Sequence, residues 1–493
     1  MTISSSNSGT WRSINSTSSV ISGLGNKQYR YYKEDWDQIL DTVEGTEREV
    51  KDQATTYLPK TSGQKANSTD GDEIYEAYKG RAVFYGYAKD TVAAMLGVMH
   101  HKPAQFKLTP NIQSLDKEAE SAEGWRVGLS QILRDINKNQ LSYGRYGLLV
   151  DMPEVEIPAQ EAMPKIVQYD AYSILDWSTR ENEKGDVIID YVLLSEIDPD
   201  DDERTAGYKE DNIRLRILAL DGDGDYYTIV IDLDDGWNAD KMNETLSGYD
   251  LNNPPEEEAV YPQAMGSNIP FIPFVFINVD NLLPDIEKSP VLQLSDLDVS
   301  IYKGDADWAQ AYFLQGQATP VFTGTSKQDS LLLGAGAMIT MSDPQAKAYF
   351  LEVEGKSMGE MRERQTILQN FAVAMGVALV DQKQPESGTA LETRAGIKSA
   401  PLNIVAKTGA KGLNQALRYA DWWKTGKFNV DGISVTPNLD FTTSTKAAKE
   451  LLDLWNSKQL GAPISEQDVH KWARDNNFSN KSYTETLADI GAE

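Results

Sequence analysis

Three long helical patterns fill residues 290–316, 358–380 and 389–425, the first two separated by the segment 317–357 and the last two by a short polar break. The first has a cap residue and a proline at its first helical position, Ser289-Pro290. Leu294, Leu297, Ile301, Trp308 and Tyr312 give it one apolar stripe, and Gly316 is its stop. The second opens on Ser357-Met358-Gly359-Glu360, which fits a capping box, and Leu368, Phe371, Ala372, Met375 and Leu379 line one face. The third opens on another capping box, Thr389-Ala390-Leu391-Glu392, and runs to Thr425 before Gly426. Pro401 lies inside it, so a kink near 397–401 is expected. This third helix is rich in small residues, among them Gly396, Ala406, Gly409, Ala410 and Gly412. Two readings fit: a weak, frayed helix, or a close approach of neighbouring backbones as in a tightly packed ring.

The N-terminal half is mixed. Residues 1–28 are rich in Ser, Asn and Gly, and their composition predicts disorder. Trp36, Ile39, Leu40 and Val43 follow at helical spacing. RAVFYGYAKDTVAAMLGVMHHKP, at 81–103, reads as one helix stopped by Lys102-Pro103, and a further helix is expected over roughly 117–142, before a buried strand, GLLVD. From 165 to 280 the period changes. IVQYDAYSILDWS, VIIDYVLLSEI, IRLRILAL, YYTIVIDL and IPFVFINV read as strands of an antiparallel sheet. The segment between the first two long helices is strand-prone, as is Phe428–Phe441, and a last helical pair is expected, the second opening on Ser465-Glu466-Gln467-Asp468. The fold class is α+β.

A chain of 493 residues is too long for one compact core of ordinary size. Its formal net charge of −28 disfavours tight association with nucleic acid or an anionic membrane. There is no cysteine and there are three histidines, so thiolate and histidine-based metal sites are not expected. The start, with a single basic residue and no apolar region, does not read as a signal peptide, and no run of 18 apolar residues is present to span a membrane.

Candidate chemistry is sparse. DGDGD at 221–225 resembles the opening of a calcium loop, but Tyr226 stands where that loop needs glycine and the flanks are strands, so a β-hairpin turn fits better. DPDDDER at 198–204 reads as a solvated acidic loop, although paired carboxylates could serve a hydrolase. His100-His101 ends a helix, where histidine needs no catalytic role. Trp422-Trp423 fit a core or a subunit contact. No catalytic residue, cofactor or metal is expected. On residues alone, the polar 381–388 segment is an ordinary helix–helix connection.

The order of the pieces resembles the portal, or head-to-tail connector, proteins of tailed bacteriophages over roughly residues 30–485. The echoes are YLPKTSG at 57–63, the 81–103 segment, YGRYGLLVDMP at 143–153, YDAYSILDWS at 169–178, AYFLEVEG at 348–355, AVAMGVALV at 372–380, SGTALETRA at 387–395 and LWNSKQLGAPIS at 454–465. The resemblance implies a portal fold with an α/β wing, a helical stem, a small α/β clip and a helical crown. By similarity 29–288 is wing, 289–316 and 358–380 are stem helices, 317–357 is the clip, 389–443 is a long kinked wing helix and strand, and 444–493 is crown-like. Residues 381–388 become the tunnel loop narrowing a DNA channel, with Gln382, Lys383, Gln384, Glu386 and Ser387 at the constriction. The implied protein is not an enzyme. It forms a homo-oligomeric ring, usually of about twelve subunits, at one vertex of the virion after assembly in the host cytoplasm. It conducts DNA during packaging and ejection, touching double-stranded DNA transiently and without sequence preference. Its implied partners are the terminase large subunit, the head-tail adaptor, and the major capsid and scaffold proteins, with no membrane. The alternatives are an acidic carboxylate-based hydrolase, a calcium-stabilised surface module, and another virion structural or adaptor protein.

Overall fold

The computed structural model describes residues 25–66, 69–116, 128–152, 163–181, 184–197, 213–232, 239–315, 319–323, 345, 347–351, 356–380, 388–429, 432–439, 441, 454, 465–475 and 483. Helix α1 (Lys27–Ile39) comes first, and the Asn26 side chain caps it by accepting from the Tyr29 amide at 2.9 Å. Residues 25–28 therefore correct the expectation of disorder over 1–28. Asn26 is pinned by its own amide, which donates to the Leu175 carbonyl. Residues 1–24 lie outside the described part.

Short helices α2 (Glu47–Asp52) and α3 (Ser62–Ala66) lead to α4 (Gly71–Arg81) and α5 (Tyr87–Met99). The single helix read across 81–103 is thus a break followed by a helix. Gly86 sits at φ +73°, a left-handed conformation that costs an L side chain about 1–2 kcal/mol, and a periodic apolar pattern carries no trace of it. Strand β1 (Gln105–Lys107) and helix α6 (Leu129–Tyr143) follow, so the helix expected from 117 is described only from Leu129 onward.

Strands β2 (Arg145–Asp151), β3 (Lys165–Tyr169), β4 (Ile174–Glu181), β5 (Val187–Ile197), β6 (Ile213–Leu220) and β7 (Tyr226–Asp232) fill the region read as strands. Helix α7 (Ala239–Gly248), the short pair β8 (Gln263–Ala264) and β9 (Ser267–Asn268), and β10 (Phe274–Asn278) complete it. The second half holds α8 (Leu292–Gln315), β11 (Thr319–Thr323), β12 (Lys347–Leu351), α9 (Lys356–Val380), α10 (Gly388–Thr425), β13 (Ser434–Thr436) and α11 (Glu466–Asp475). The protein is α+β, with every described strand pair antiparallel.

One sheet runs β4-β5-β6-β7 and a second runs β10-β2-β3; β1 pairs with β13, and β11 with β12. The four-stranded sheet buries both faces at its root. Leu193, Leu215, Ile217 and Tyr227 enter one apolar cluster with α1, α5 and α8. Alternate residues Val192, Leu194, Leu218 and Tyr226 enter a second with α6, β2, β10 and the later part of α10. A satellite cluster joins Val50, Tyr57, Tyr75 and Tyr78 to Val299, Tyr302 and Ala306 of α8.

The small residues of α10 mark a close approach. A Cβ on Gly409 would stand 2.5 Å from Nδ2 of Asn137 and 2.7 Å from Oε1 of Gln140, both on α6, and one on Gly412 would strike Ile277 of β10 at 2.4 Å. The approach is to elements of the same protomer. Of the last helical pair, residues 442–453 and 455–464 lie outside the described part, while the capping box at Ser465 and Asp468 is formed.

Candidate functional site

The five residues assigned to a constriction, Gln382, Lys383, Gln384, Glu386 and Ser387, lie outside the described residues. Their frame is described: α9 ends at Val380 and α10 begins at Gly388. Ser357 and Thr389, read as caps, each fall one residue inside their helices.

The site these elements build is the α8–α9 hairpin. Each helix presents one stripe to its own chain. On α8, Leu294 and Ile301 enter the main core and Val299, Tyr302 and Ala306 the satellite core. On α9 the inward stripe is Gln365, Leu368, Ala372 and Met375, and Nε2 of Gln365 donates to the Ile301 carbonyl across the pair at 2.8 Å. Phe371, read as part of that inward face, is 57% exposed, because it stands one residue, about 100°, around the helix from Ala372. Ile367 is 60% exposed and Val373 49%, so apolar side chains surround α9 instead of keeping to one stripe. Tyr312, read as the end of the α8 stripe, is 61% exposed, and its ring stacks on Trp308 at 5.5 Å.

The acids of α8 hold the rest of the body to this hairpin. Asp298, buried, accepts from the Tyr87 amide at 3.0 Å and the Ala88 amide at 2.7 Å, and so caps α5 from another helix. Two turns on, Asp305 accepts from the Val83 amide at 2.9 Å, and Asp307 accepts from the Tyr78 hydroxyl at 2.7 Å. Burial pushes the Asp298 carboxyl up to about 6 against the lowering effect of the two amides, and it also raises Asp305.

Elsewhere the buried polar groups are structural. Glu196 accepts from Arg216 at 2.7 Å, from Arg214 at 3.0 Å and from the Tyr169 hydroxyl. These partners overcome its desolvation and hold it below the usual range. Glu287 is pushed up to about 7 by burial and by Asp280, on a loop where it accepts from the Asp280 amide and from Asn281. The guanidinium of Arg145 is fully buried without a hydrogen-bond partner, 3.8 Å from the Trp177 ring centroid and 4.9 Å from that of Phe276. Burial lowers it to about 9.

DGDGD is the turn of the β6–β7 hairpin. The Asp221 carboxylate accepts from the amides of Asp223 and Asp225 at 3.0 and 2.8 Å, so its lone pairs serve the turn. Among the described residues no cluster of His, Cys, Asp or Glu could hold a metal ion, and no helix is long and apolar enough to cross a membrane. DPDDDER lies outside the described residues. His100 is half-buried at the end of α5, with its pKa lowered by burial and by Arg134. Trp422 and Trp423 are both core residues.

Sequence reasoning missed the outward apolar residues of α9. Ile367 and Val373 carried a signal, since neither shares a side with Leu368 and Ala372 at helical spacing, whereas Phe371, three residues from Leu368, carried none. A protein-family model described as a domain of unknown function (DUF4055) matches residues 290–424, which take in α8, α9 and nearly all of α10. A search of curated protein sequences returned no match. Among solved structures, a chain of the virion of the native gene transfer agent particle is similar, with a TM-score of 0.37 and 12% identity, covering 79% of this chain and 88% of that one. A chain from the neck of the native gene transfer agent particle, computed with C12 symmetry, has a TM-score of 0.34 and 12% identity over 82% of this chain and 98% of that one. Likenesses this loose carry no functional argument.

Proposed function

We propose that the protein is a portal subunit: identical copies close into a ring at one capsid vertex and conduct double-stranded DNA. The carrying observation is the α8–α9 hairpin, whose outward Ile367, Phe371, Val373 and Tyr312 remain uncovered by their own chain. A helix apolar on several sides needs a second surface to bury them. Another copy is the occupant the charges favour. The exposed face of α9 alternates Glu360 and Glu363 with Arg362 and Arg364, while that of α8 carries Asp296, Lys303 and Asp307, so like hairpins side by side meet opposite signs.

In this reading the hairpin is the stem, the β11–β12 pair belongs to the clip, and the 381–388 segment is the polar constriction formed by Gln382, Lys383, Gln384, Glu386 and Ser387. A ring of twelve would carry a formal charge of about −336 before screening. Such a largely acidic wall repels a polyanion and lets it slide. Nucleotide hydrolysis belongs to a terminase docked on the clip, and a head-tail adaptor takes that place later. The test is the mass and symmetry of the purified protein. A ring of about twelve copies at 54.8 kDa each weighs about 660 kDa and shows an open axis in averaged electron micrographs. A protein that stays a single-copy particle at micromolar concentration, or closes without a central opening, overturns the reading.

A further inference from the structure

A cyclic ring joins two different faces of one subunit. They must lie on opposite flanks and, because pure rotation moves nothing along the axis, at equal height. The helices around α8 supply both. On α8, Ile301 and Gly304 face α9. The Ile301 carbonyl accepts from Gln365, and a Cβ on Gly304 would stand 2.6 Å from Oε1 of the same Gln365. Tyr302 and Ala306 each stand two residues from Gly304, about 200° around the helix, and pack instead with Tyr75 and Tyr78 of α4. The order across this part of the subunit is α9, α8, α4.

Each outer helix has a free surface. On α9, Glu363 and Ile367 stand two residues to either side of Gln365, so both lie on the side turned from α8. Glu363 is exposed, Ile367 is 60% exposed, and Phe371 continues this face one turn on. On the other flank, α4 and α8 run in the same direction and are joined by rungs. Tyr78 donates to Asp307 at 2.7 Å and Arg81 to Gln310 at 2.6 Å, each pair 229 residues apart. The same offset puts Ile74 level with Lys303, on the stripe of α4 that carries Tyr78 and Arg81. Ile74 is 44% exposed and Lys303 is exposed, so this rung offers an apolar and a cationic side chain.

The heights agree as well. Gln365 is level with Ile301 and Gly304, hence with Lys303. Glu363 and Ile367 on one flank and Lys303 and Ile74 on the other therefore share one level. With the hairpin as stem, running along the ring axis, rotation alone carries the first pair toward the second.

We propose that α9 of one copy seats in the groove between α4 and α8 of the next, with Ile367 against Ile74 and Glu363 paired with Lys303. This rests on the ring reading and names the contact that closes the ring. Apolar burial and an ion pair at this seam oppose the general repulsion between copies that each carry −28.

The test has two arms, both on the full chain. The protein has no cysteine, so introduced thiols are the sole sites for a thiol cross-linker. Ile74→Cys with Ile367→Cys, assembled and treated with a short bis-maleimide, gives a ladder of covalent multimers in denaturing electrophoresis, while each single-cysteine chain stays at the protomer mass. In the second arm, Glu363→Lys and Lys303→Glu each raise the concentration at which rings half-dissociate by about tenfold or more in mass photometry, and the combined variant returns to within about threefold of wild type. Both side chains are exposed, so thermal unfolding of the protomer stays at the wild-type value and separates assembly from folding. Rings that yield no ladder, or a species linked within one protomer, overturn the proposal. So does a combined variant as weak as the single ones, or single variants that assemble like wild type. A wild-type chain that forms no ring overturns the ring reading itself, so the two failures are distinguishable.

Discussion

Truncating Phe371 to alanine separates what this side chain does for its own chain from what it does between copies. A phenylalanine covers about 200 Å² when buried. At 57% exposure, about 115 Å² is left for a neighbour to cover. At about 25 cal/mol per Å² this is about 3 kcal/mol, of which an alanine keeps about a third, leaving a loss of about 2 kcal/mol per interface. That weakens each pairwise contact about 30-fold. The protomer hardly changes, because the side chain is not part of its core, and a shift within about 0.5 kcal/mol is expected. The assay pairs mass photometry over a dilution series with thermal unfolding of dissociated protomer. Ring stability like that of wild type, with the protomer intact, would refute the reasoning. So would a protomer weakened by about 2 kcal/mol, since Phe371 would then be covered by its own chain.

The Asp298 carboxyl, with a folded pKa of about 6 against an ordinary 3.8, binds its proton more tightly in the folded state. Its contribution is fully present below the ordinary value and is lost as pH rises through about 6, so wild type gains about 1 kcal/mol from this group between pH 7 and pH 5. Asp298→Asn, which also loses one amide bond at the start of α5, is destabilised and lacks that gain; parallel pH dependences for the two proteins in urea unfolding count against the assignment. Gly409→Ala forces a methyl against Asn137 and Gln140 and costs about 1–3 kcal/mol, read as a lower melting temperature. Arg145→Met removes a buried cation that no acceptor serves, and stability rises by about 1–3 kcal/mol; a loss of that size would mean that stacking on Trp177 and Phe276 outweighs desolvation.

Much of the fold was legible because its signals are local. The DGDGD turn between two alternating runs read better as a hairpin than as a calcium loop, because Tyr226 stands where that loop needs glycine, and the three long helices declared themselves by period. What escaped depends on the surroundings of a residue. The break at Gly86 follows from a positive φ and from amides captured by Asp298 and Asp305, more than 200 residues away in sequence. Phe371 and Ala372 look equally apolar in a string of letters, yet one faces the core and the other does not. Composition left the glycines of α10 between fraying and close approach, and only the positions of Asn137, Gln140 and Ile277 decide for approach. The candidate site was legible only as an arrangement of pieces, since a polar connection between helices has no signature of its own.

The β4–β5 hairpin is anchored like a cantilever. Its root at Ile174, Leu175, Leu193 and Leu194 is clamped in both apolar clusters, while Thr179, Lys184 and Val187 farther along it are exposed. A beam held this way carries cargo at the tip without disturbing the wall, so a short epitope spliced after Lys184 becomes a handle on the outside of the folded subunit.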